Sequence, residues 1–340
     1  MDFHSGSILA SENIDQKLPP ASLTKIMTAY VAASELEANH ISLDDKVIVS
    51  EKAWKMPGSR MFIEVNKEVT VRDLLNGIII QSGNDASVAL AEHISGDETV
   101  FAELMNQHAE RLGLKNSHFV NATGLPDEQH YTTAHDLAIL AAALIRDHPE
   151  VYEIHSHKEF TYNNIKQTNR NRLLWLDNTA DGVKTGHTEE AGFCLVVSAI
   201  RDGMRLISVV MGTESDKART SANQSLLNYG FRFYETRKLY SAEDTVTSAR
   251  IWKGTAEQIN LGLKEDLYVT IARGQFDQLE NIYILPERIV APVEEGTETG
   301  QLKLVLYDKE VLVTPLYAKE TIAEAGLFKR LKDHIQLMLE

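Results

Sequence analysis

Pro20-Ala21-Ser22-Leu23-Thr24-Lys25-Ile26-Met27-Thr28-Ala29-Tyr30-Val31 opens a stretch that runs to about Ala38 with no Gly and no further Pro. Leu23, Ile26, Met27, Tyr30 and Val31 recur at three-, four- and seven-residue spacings, the apolar stripe of a buried helix. On such a helix Ser22 and Lys25, three residues apart, stack on one face, so that an amine lies within reach of a hydroxyl proton. Ser22 also falls in the first turn, where free backbone N–H groups and the helix dipole favour the anion formed by attack on a carbonyl. At average composition about one Ser-x-x-Lys is expected by chance in a chain of this length, and its ordinary meaning is an exposed pair. The spacing alone names no chemistry.

Two later stretches change its weight. Leu74-Leu75-Asn76-Gly77-Ile78-Ile79-Ile80 is apolar and stops at Ser82-Gly83-Asn84, after which Ala86, Val88, Ala89, Leu90 and Ile94 resume a helical pattern. Ser-x-Asn also occurs at Ser11-Glu12-Asn13 and Ser221-Ala222-Asn223, but only Ser82 and Asn84 sit at a break between two buried elements. Lys184-Thr185-Gly186 is rarer, with roughly a tenth of one occurrence expected by chance. It precedes two β-branched-rich runs, 192–200 and 204–211, separated by Arg201-Asp202-Gly203, and Asp-Gly between such runs predicts a hairpin. A strand edge beside Lys184 suits an extended substrate.

The 340 residues allow about two domains. Helices are expected over 100–112 and 134–146, the former stopped by Gly113. Beyond Tyr240 the texture becomes short alternating segments (268–272, 283–285, 302–307, 311–316) with Arg273-Gly274 and Glu295-Gly296 among the turns, which predicts a small all-β domain. Residues 326–340 return to helix, with Leu327, Phe328, Leu331, Ile335, Met338 and Leu339 on one side and Lys329, Arg330 and Lys332 mostly elsewhere. The expected division is 1–239 for a catalytic domain, 240–320 for a β-sandwich and 321–340 for an amphipathic helix.

Composition closes off other classes. With 49 Asp and Glu against 34 Lys and Arg, the formal charge of −15 has the wrong sign for a protein that neutralises phosphates, so nucleic acid is not an expected partner. At 43% apolar and 24% charged residues the chain is ordinary globular material. The single cysteine, Cys194, excludes an intramolecular disulfide and a thiolate-rich zinc site, and is expected as a small buried strand residue. The remaining histidines, His155 and His157 among them, lack zinc-site spacing and are expected at the surface, so neither a metal nor a cofactor is implied. No stretch approaches 18 apolar residues, and the N-terminus carries no signal-peptide pattern. Its opening reads as part of a hairpin, from which we expect that a leader and a first strand precede it.

Taken in order, Ser22/Lys25, Ser82/Asn84 and Lys184-Thr185-Gly186 resemble the three-part signature of serine penicillin-recognising enzymes. The flanks Arg170-Asn171-Arg172-Leu173-Leu174-Trp175, Asp181-Gly182-Val183-Lys184-Thr185-Gly186-His187-Thr188 and Tyr229-Gly230-Phe231-Arg232-Phe233-Tyr234-Glu235-Thr236 closely resemble D-alanyl-D-alanine carboxypeptidases of the penicillin-binding protein 5 type. The resemblance spans essentially the whole chain. It implies an α+β fold, with an antiparallel sheet carrying helices on both faces, then the small β domain and the terminal helix. It implies a periplasmic enzyme, peripheral on the outer face of the bacterial inner membrane, that removes the terminal D-alanine from peptidoglycan stem pentapeptides through an acyl-serine and is acylated by β-lactams. Ser22 is then the nucleophile and Lys25 its base, held neutral by burial and the nearby Lys184 charge. Ser82 passes a proton to the leaving D-alanine and Asn84 holds the substrate amide. The backbone N–H groups of Ser22 and His187 form the oxyanion hole, and Gly186 completes the Lys-Thr-Gly element. Lys184, Thr185 and Arg170 meet the C-terminal carboxylate, which needs a cation and convergent donors. The His187 side chain is expected at a solvent-facing strand edge, where it tunes the pH profile.

A class A β-lactamase requires a Glu-x-x-Leu-Asn loop, absent here, and Ser-Gly-Asn replaces Ser-Asp-Asn; slow hydrolysis of bound penicillin is expected. A D,D-endopeptidase of the same superfamily typically lacks the appended β domain. A non-turning-over sensor is normally fused to a transmembrane transducer. For the terminal helix, the resemblance favours an in-plane membrane anchor with cationic flanks over simple packing on the β domain.

Overall fold

The computed structural model describes residues 1–339; Glu340, the last residue of the expected terminal helix, lies outside the described residues. The chain folds as two compact units, Met1–Arg232 and a second from Phe233 onward.

In the first unit, helix α1 (Thr24–Glu37) follows a 3-10 turn, Ala21–Leu23. Every residue from Thr24 to Ala33 is buried, which makes α1 a central helix and not a surface one. Its large face, Ile26, Met27, Tyr30 and Val31, shares a core with Phe101 and Met105 of α3 (Glu98–Arg111) and with Leu137, Leu140 and Leu144 of α4 (Ala134–Asp147). Its small face, Ala29 and Ala33, packs on Ile79 and Ile80, and small residues there let the Gly77–Gln81 segment approach closely. That segment is a single π turn ending at Ser82, after which α2 (Asn84–Ser95) begins. The predicted break between buried elements is present at that point.

Strands β1 (Ala180–Thr188), β2 (Gly192–Arg201) and β3 (Met204–Thr213) form an antiparallel sheet in that order. The β2–β3 turn has both Asp202 and Gly203 at positive φ, the two-residue geometry that Asp-Gly predicts. Alternation places Cys194, Val196 and Ile207 in the core shared with α1 and α4. On the opposite face lies α5 (Asp216–Phe233), whose Asn223 donates to the Leu195 carbonyl and whose Gly230 lies over Leu206. Helices thus cover both faces of the sheet.

The second unit contains β4 (Tyr234–Tyr240), β5 (Thr247–Trp252), β6 (Gln258–Gly262), β7 (Leu267–Ala272), β8 (Leu279–Ile284), β9 (Ile289–Val290), β10 (Glu298–Leu306) and β11 (Lys309–Ala318). Six form a sheet in the order β8-β10-β11-β6-β5-β9, and β4 pairs with β7. Ile259, Leu261, Leu302, Leu304 and Leu316 fill its core.

Helix α6 (Leu327–Leu339) ends the described chain. It rests on the β unit through polar groups: the buried Asp333 carboxylate accepts the Lys253 N–H at 2.6 Å, and Lys329 donates to the Ala256 carbonyl at 3.1 Å. Its apolar side faces out, with Phe328 92% and Leu327 79% exposed and Leu331, Ile335 and Met338 more than half exposed.

Candidate active site

Ser22 sits in the 3-10 turn, half-buried and directly after Ala21, which is held at φ +48°. Two glycines grip this turn. A Cβ on Gly186 of β1 would meet the Pro20 carbonyl at 2.9 Å, and one on Gly124, itself at φ +82°, would run into the Ala21 carbonyl. Thr24 Oγ1 is tied to His130 Nε2 at 2.8 Å. The Ser22 turn is therefore positioned by backbone packed on backbone, which only glycine permits at both places.

Lys25 is wholly buried, with Nζ 3.1 Å from Ser22 Oγ, 2.7 Å from Asn84 Oδ1 and 2.6 Å from the Thr123 carbonyl. Burial pushes this amine down to about 7, the Arg170 charge pushes the same way, and Asp85 opposes them. A neutral amine has two N–H groups and one lone pair. The two shorter contacts are to acceptors that take the N–H groups, so the lone pair is left for the Ser22 hydroxyl proton. Lys184, also buried, is held well below the ordinary lysine range by burial first and then by Lys25, Arg170 and Arg219. The two amines repel each other, as expected from the sequence, and Arg170 adds to the pressure on both.

Asn84 is fixed at both ends, its Oδ1 on Lys25 and its Nδ2 on the Pro57 carbonyl at 2.7 Å, which leaves one amide N–H for a ligand. The neighbouring Asp85 carboxylate accepts the backbone N–H groups of Met61, Phe62 and Ile63 and so fastens the 57–63 loop to the Ser82-Gly83-Asn84 element. Ser82 adopts the left-handed conformation, φ +66°, and its buried Oγ has no hydrogen-bond partner among the described residues.

Lys184, Thr185 and Gly186 are buried within β1, whereas His187 is exposed with its ring 3.9 Å from that of Phe193. Lys184 Nζ donates to the Thr185 carbonyl. Arg170 is solvent-exposed, yet its charge bears on both lysines. Ser22, Lys25, Asn84 and Lys184 are thus joined directly or electrostatically, with Gly186 beneath the serine. Arg219, which the sequence reading did not single out, is buried and donates to the Gly186 carbonyl at 2.9 Å and to Asp216. Its only signal in the sequence is a lone arginine on a helix. With Arg170 and Arg219 beside two lysines, the cleft is cationic despite the chain's net negative charge, which suits a carboxylate.

Several histidines depart from expectation. His155, His130, His108 and His148 are buried, not superficial, and burial pushes the first three down to about 4. Each packs on an aromatic ring, Tyr152, Phe119 or Tyr30, which makes a local polar pattern a poor guide to their depth. Cys194 is buried in β2. Among the described residues no group of three or more His, Cys, Asp or Glu is arranged to hold a metal ion.

A profile of D-alanyl-D-alanine carboxypeptidases matches residues 1–215, and one of the penicillin-binding protein 5 C-terminal domain matches residues 234–324. The D-alanyl-D-alanine carboxypeptidase DacC of Escherichia coli (strain K12) is 45% identical over 99% of this chain and 86% of its own length. The solved structure of penicillin binding protein 5 from Haemophilus influenzae superposes with a TM-score of 0.93 at 42% identity, covering 95% of this chain and 96% of that one. The ampicillin-bound penicillin-binding protein D2 from Listeria monocytogenes, at 32% identity and a TM-score of 0.63, covers 68% of this chain and 94% of its own. With the profile spanning most of the chain and the first two of these relatives nearly all of it, the chain belongs to the D-alanyl-D-alanine carboxypeptidase family.

Proposed function

We propose that the protein is a serine D,D-carboxypeptidase that removes the terminal D-alanine from peptidoglycan stem peptides. The observation that carries this reading is the buried Lys25 amine, 3.1 Å from Ser22 Oγ and pushed down to about 7. In the first step neutral Lys25 takes the Ser22 proton as Oγ attacks the penultimate D-alanine carbonyl. The backbone N–H groups of Ser22 and His187 receive the oxyanion, and the free Asn84 N–H holds the substrate amide. Ser82, whose hydroxyl is uncommitted, gives its proton to the departing D-alanine nitrogen and takes in turn the one Lys25 removed from Ser22, which returns Lys25 to the neutral amine. Water then releases the acyl group with Lys25 again as base. Lys184, Thr185 and Arg170 hold the terminal carboxylate, whose charge restores that of Lys184 on binding. A β-lactam follows the first step and, with no Glu-x-x-Leu-Asn loop to activate water, leaves slowly.

The test is D-alanine release from a soluble peptide ending in D-Ala-D-Ala, with both wild type and Ser22→Ala checked for cooperative thermal unfolding. Release that vanishes in the variant supports the assignment, and no release from folded wild type refutes it.

The same reading places the protein in the periplasm, peripheral on the inner membrane, with residues 1–239 catalytic, 240–320 a β-sandwich spacer and 321–340 the contact helix. No helix among the described residues is long and apolar enough to cross a membrane. The support for a surface contact is α6, which docks by its polar side and turns Leu327, Phe328, Leu331, Ile335 and Met338 outward. Deleting residues 326–340 is expected to abolish co-sedimentation with anionic vesicles; equal binding by the shortened chain refutes the anchor.

A further inference from the structure

β1 is the outer strand of its sheet, with β2 on one side and, among the described residues, no strand on the other. Such an edge accepts an extended peptide by backbone pairing. Its two halves differ. Lys184–His187 runs beside the Ser22 turn, as the contact of Gly186 with Pro20 and Leu23 shows. Asp181–Val183 is instead occupied by side chains. His155 Nδ1 lies 2.7 Å from the Val183 carbonyl, Asn171 Nδ2 donates to the Gly182 carbonyl at 2.8 Å, and the Tyr152 hydroxyl donates to Asp181 at 2.7 Å.

These residues form one unit. The His155 ring stacks on Tyr152 at 5.5 Å, and Asn169 joins the rest by accepting the Asn171 N–H and donating to the His157 carbonyl. There is no slack against the strand: a Cβ on Gly182 would lie 2.7 Å from the Tyr152 hydroxyl and 3.2 Å from His155 Cβ. His155 is 0% exposed, and burial keeps its ring neutral. Because Nδ1 faces a carbonyl, Nδ1 carries the ring's one proton and Nε2 is an acceptor, buried with no protein partner among the described residues. A fully buried imidazole with half its polar capacity unused is held for what its other nitrogen does.

The substrate's direction follows from the proposed function, on which this inference rests. The scissile carbonyl lies at the N–H groups of Ser22 and His187 and the terminal carboxylate at Lys184, so the chain beyond the scissile bond runs from residue 187 toward residue 184. One further substrate residue would meet 182–183, whose carbonyls are already taken. We propose that the His155–Asn171–Tyr152 clamp closes the β1 edge just past Lys184, limiting the enzyme to one residue beyond the scissile bond, with His155 the positioning residue that sets Lys184 for that residue's free carboxylate. Chains that continue beyond that residue are excluded by the clamp.

The experiment compares two peptides, one ending in D-Ala-D-Ala and one carrying an additional C-terminal glycine, with wild type, His155→Leu and His155→Asn. Products are identified by mass and folding is checked by thermal unfolding. Wild type is expected to favour the free D-Ala-D-Ala terminus by about a hundredfold or more in kcat/KM, the scale on which sites built around a polar group discriminate. His155→Leu, which keeps volume but loses the N–H, is expected to raise KM about tenfold with a much smaller change in kcat, and to narrow the preference by a similar factor. His155→Asn, whose Nδ2 falls near the imidazole Nδ1, restores both, a rescue that a merely structural role does not produce. Should His155→Leu fail to fold, Asn171→Ser frees the Gly182 carbonyl at the same edge and carries the same expectation. Unchanged KM and preference in a folded variant, or equal cleavage of both peptides by wild type, overturns the inference and leaves the serine peptidase reading intact. No release from either peptide by folded wild type overturns that reading and this inference with it.

Discussion

The pH dependence of acylation is the sharpest consequence of the Lys25 environment. A lysine at its ordinary 10.5 is neutral in about one molecule in 3,000 at pH 7, whereas one at about 7 is neutral in about half. The difference, about 3.5 pH units or about 5 kcal/mol between the two protonation states, enlarges the supply of competent base by about three orders of magnitude. Stopped-flow acylation by a penicillin, followed from pH 5 to pH 10, is therefore expected to rise about tenfold per pH unit up to about 7 and then level off. Because Lys184 titrates in the same cleft, the midpoint belongs to the pair. Arg170→Gln separates the causes: it removes the second-largest one and leaves the burial, so the amine rises and the acid limb moves to higher pH. The plateau height reports lost carboxylate binding, while the limb's position reports Lys25. A rate that climbs with unit slope through pH 7 to pH 9, or an Arg170→Gln limb that stays put or moves to lower pH, refutes the reasoning.

Lys25→Met tests the same desolvation through stability. The folded pKa lies below the unfolded one, so wild type loses stability as pH falls from about 10.5 to about 7 and the variant does not; the difference between them, from paired denaturant titrations, is expected to shift in the variant's favour by up to about 5 kcal/mol across that window. Ser82→Ala removes a buried hydroxyl that has no protein partner, so thermal stability is expected to hold while D-alanine release falls by about 10²-fold or more. Gly124→Ala strains a φ of +82° and drives a Cβ into the Ala21 carbonyl, and a loss of at least about 2 kcal/mol together with penicillin acylation is expected; a stable, fully acylating variant contradicts the packing described for the Ser22 turn.

What the sequence shows and what it hides divides along a physical line. Features written in residue type and spacing are legible: the α1 stripe, the paired positive φ at Asp202 and Gly203, and the interruption at Ser82 all follow from local chemistry. Features that depend on a backbone group arriving from elsewhere are not. By taking one Lys25 N–H, the Thr123 carbonyl helps turn the amine's lone pair toward Ser22, yet any residue carries a carbonyl, so Ala-Thr-Gly-Leu at 122–125 gives no hint of it. Arg219 reads the Gly186 carbonyl in the same anonymous way. His155 looked superficial because Ile-His-Ser-His is locally polar, and its depth is decided by a strand that arrives 28 residues later. For α6 the amphipathic pattern was plain, but not which side docks, since that turned on Lys253 and Ala256 offering backbone partners to Asp333 and Lys329. The Lys-Thr-Gly strand and the Gly124 segment close on the Ser22 turn because glycine lets main chain touch main chain there, while Asn84 is held to Lys25 by a side-chain hydrogen bond. A variant that keeps every signature residue and alters only Gly124 is therefore the one whose failure sequence motifs are least able to foresee.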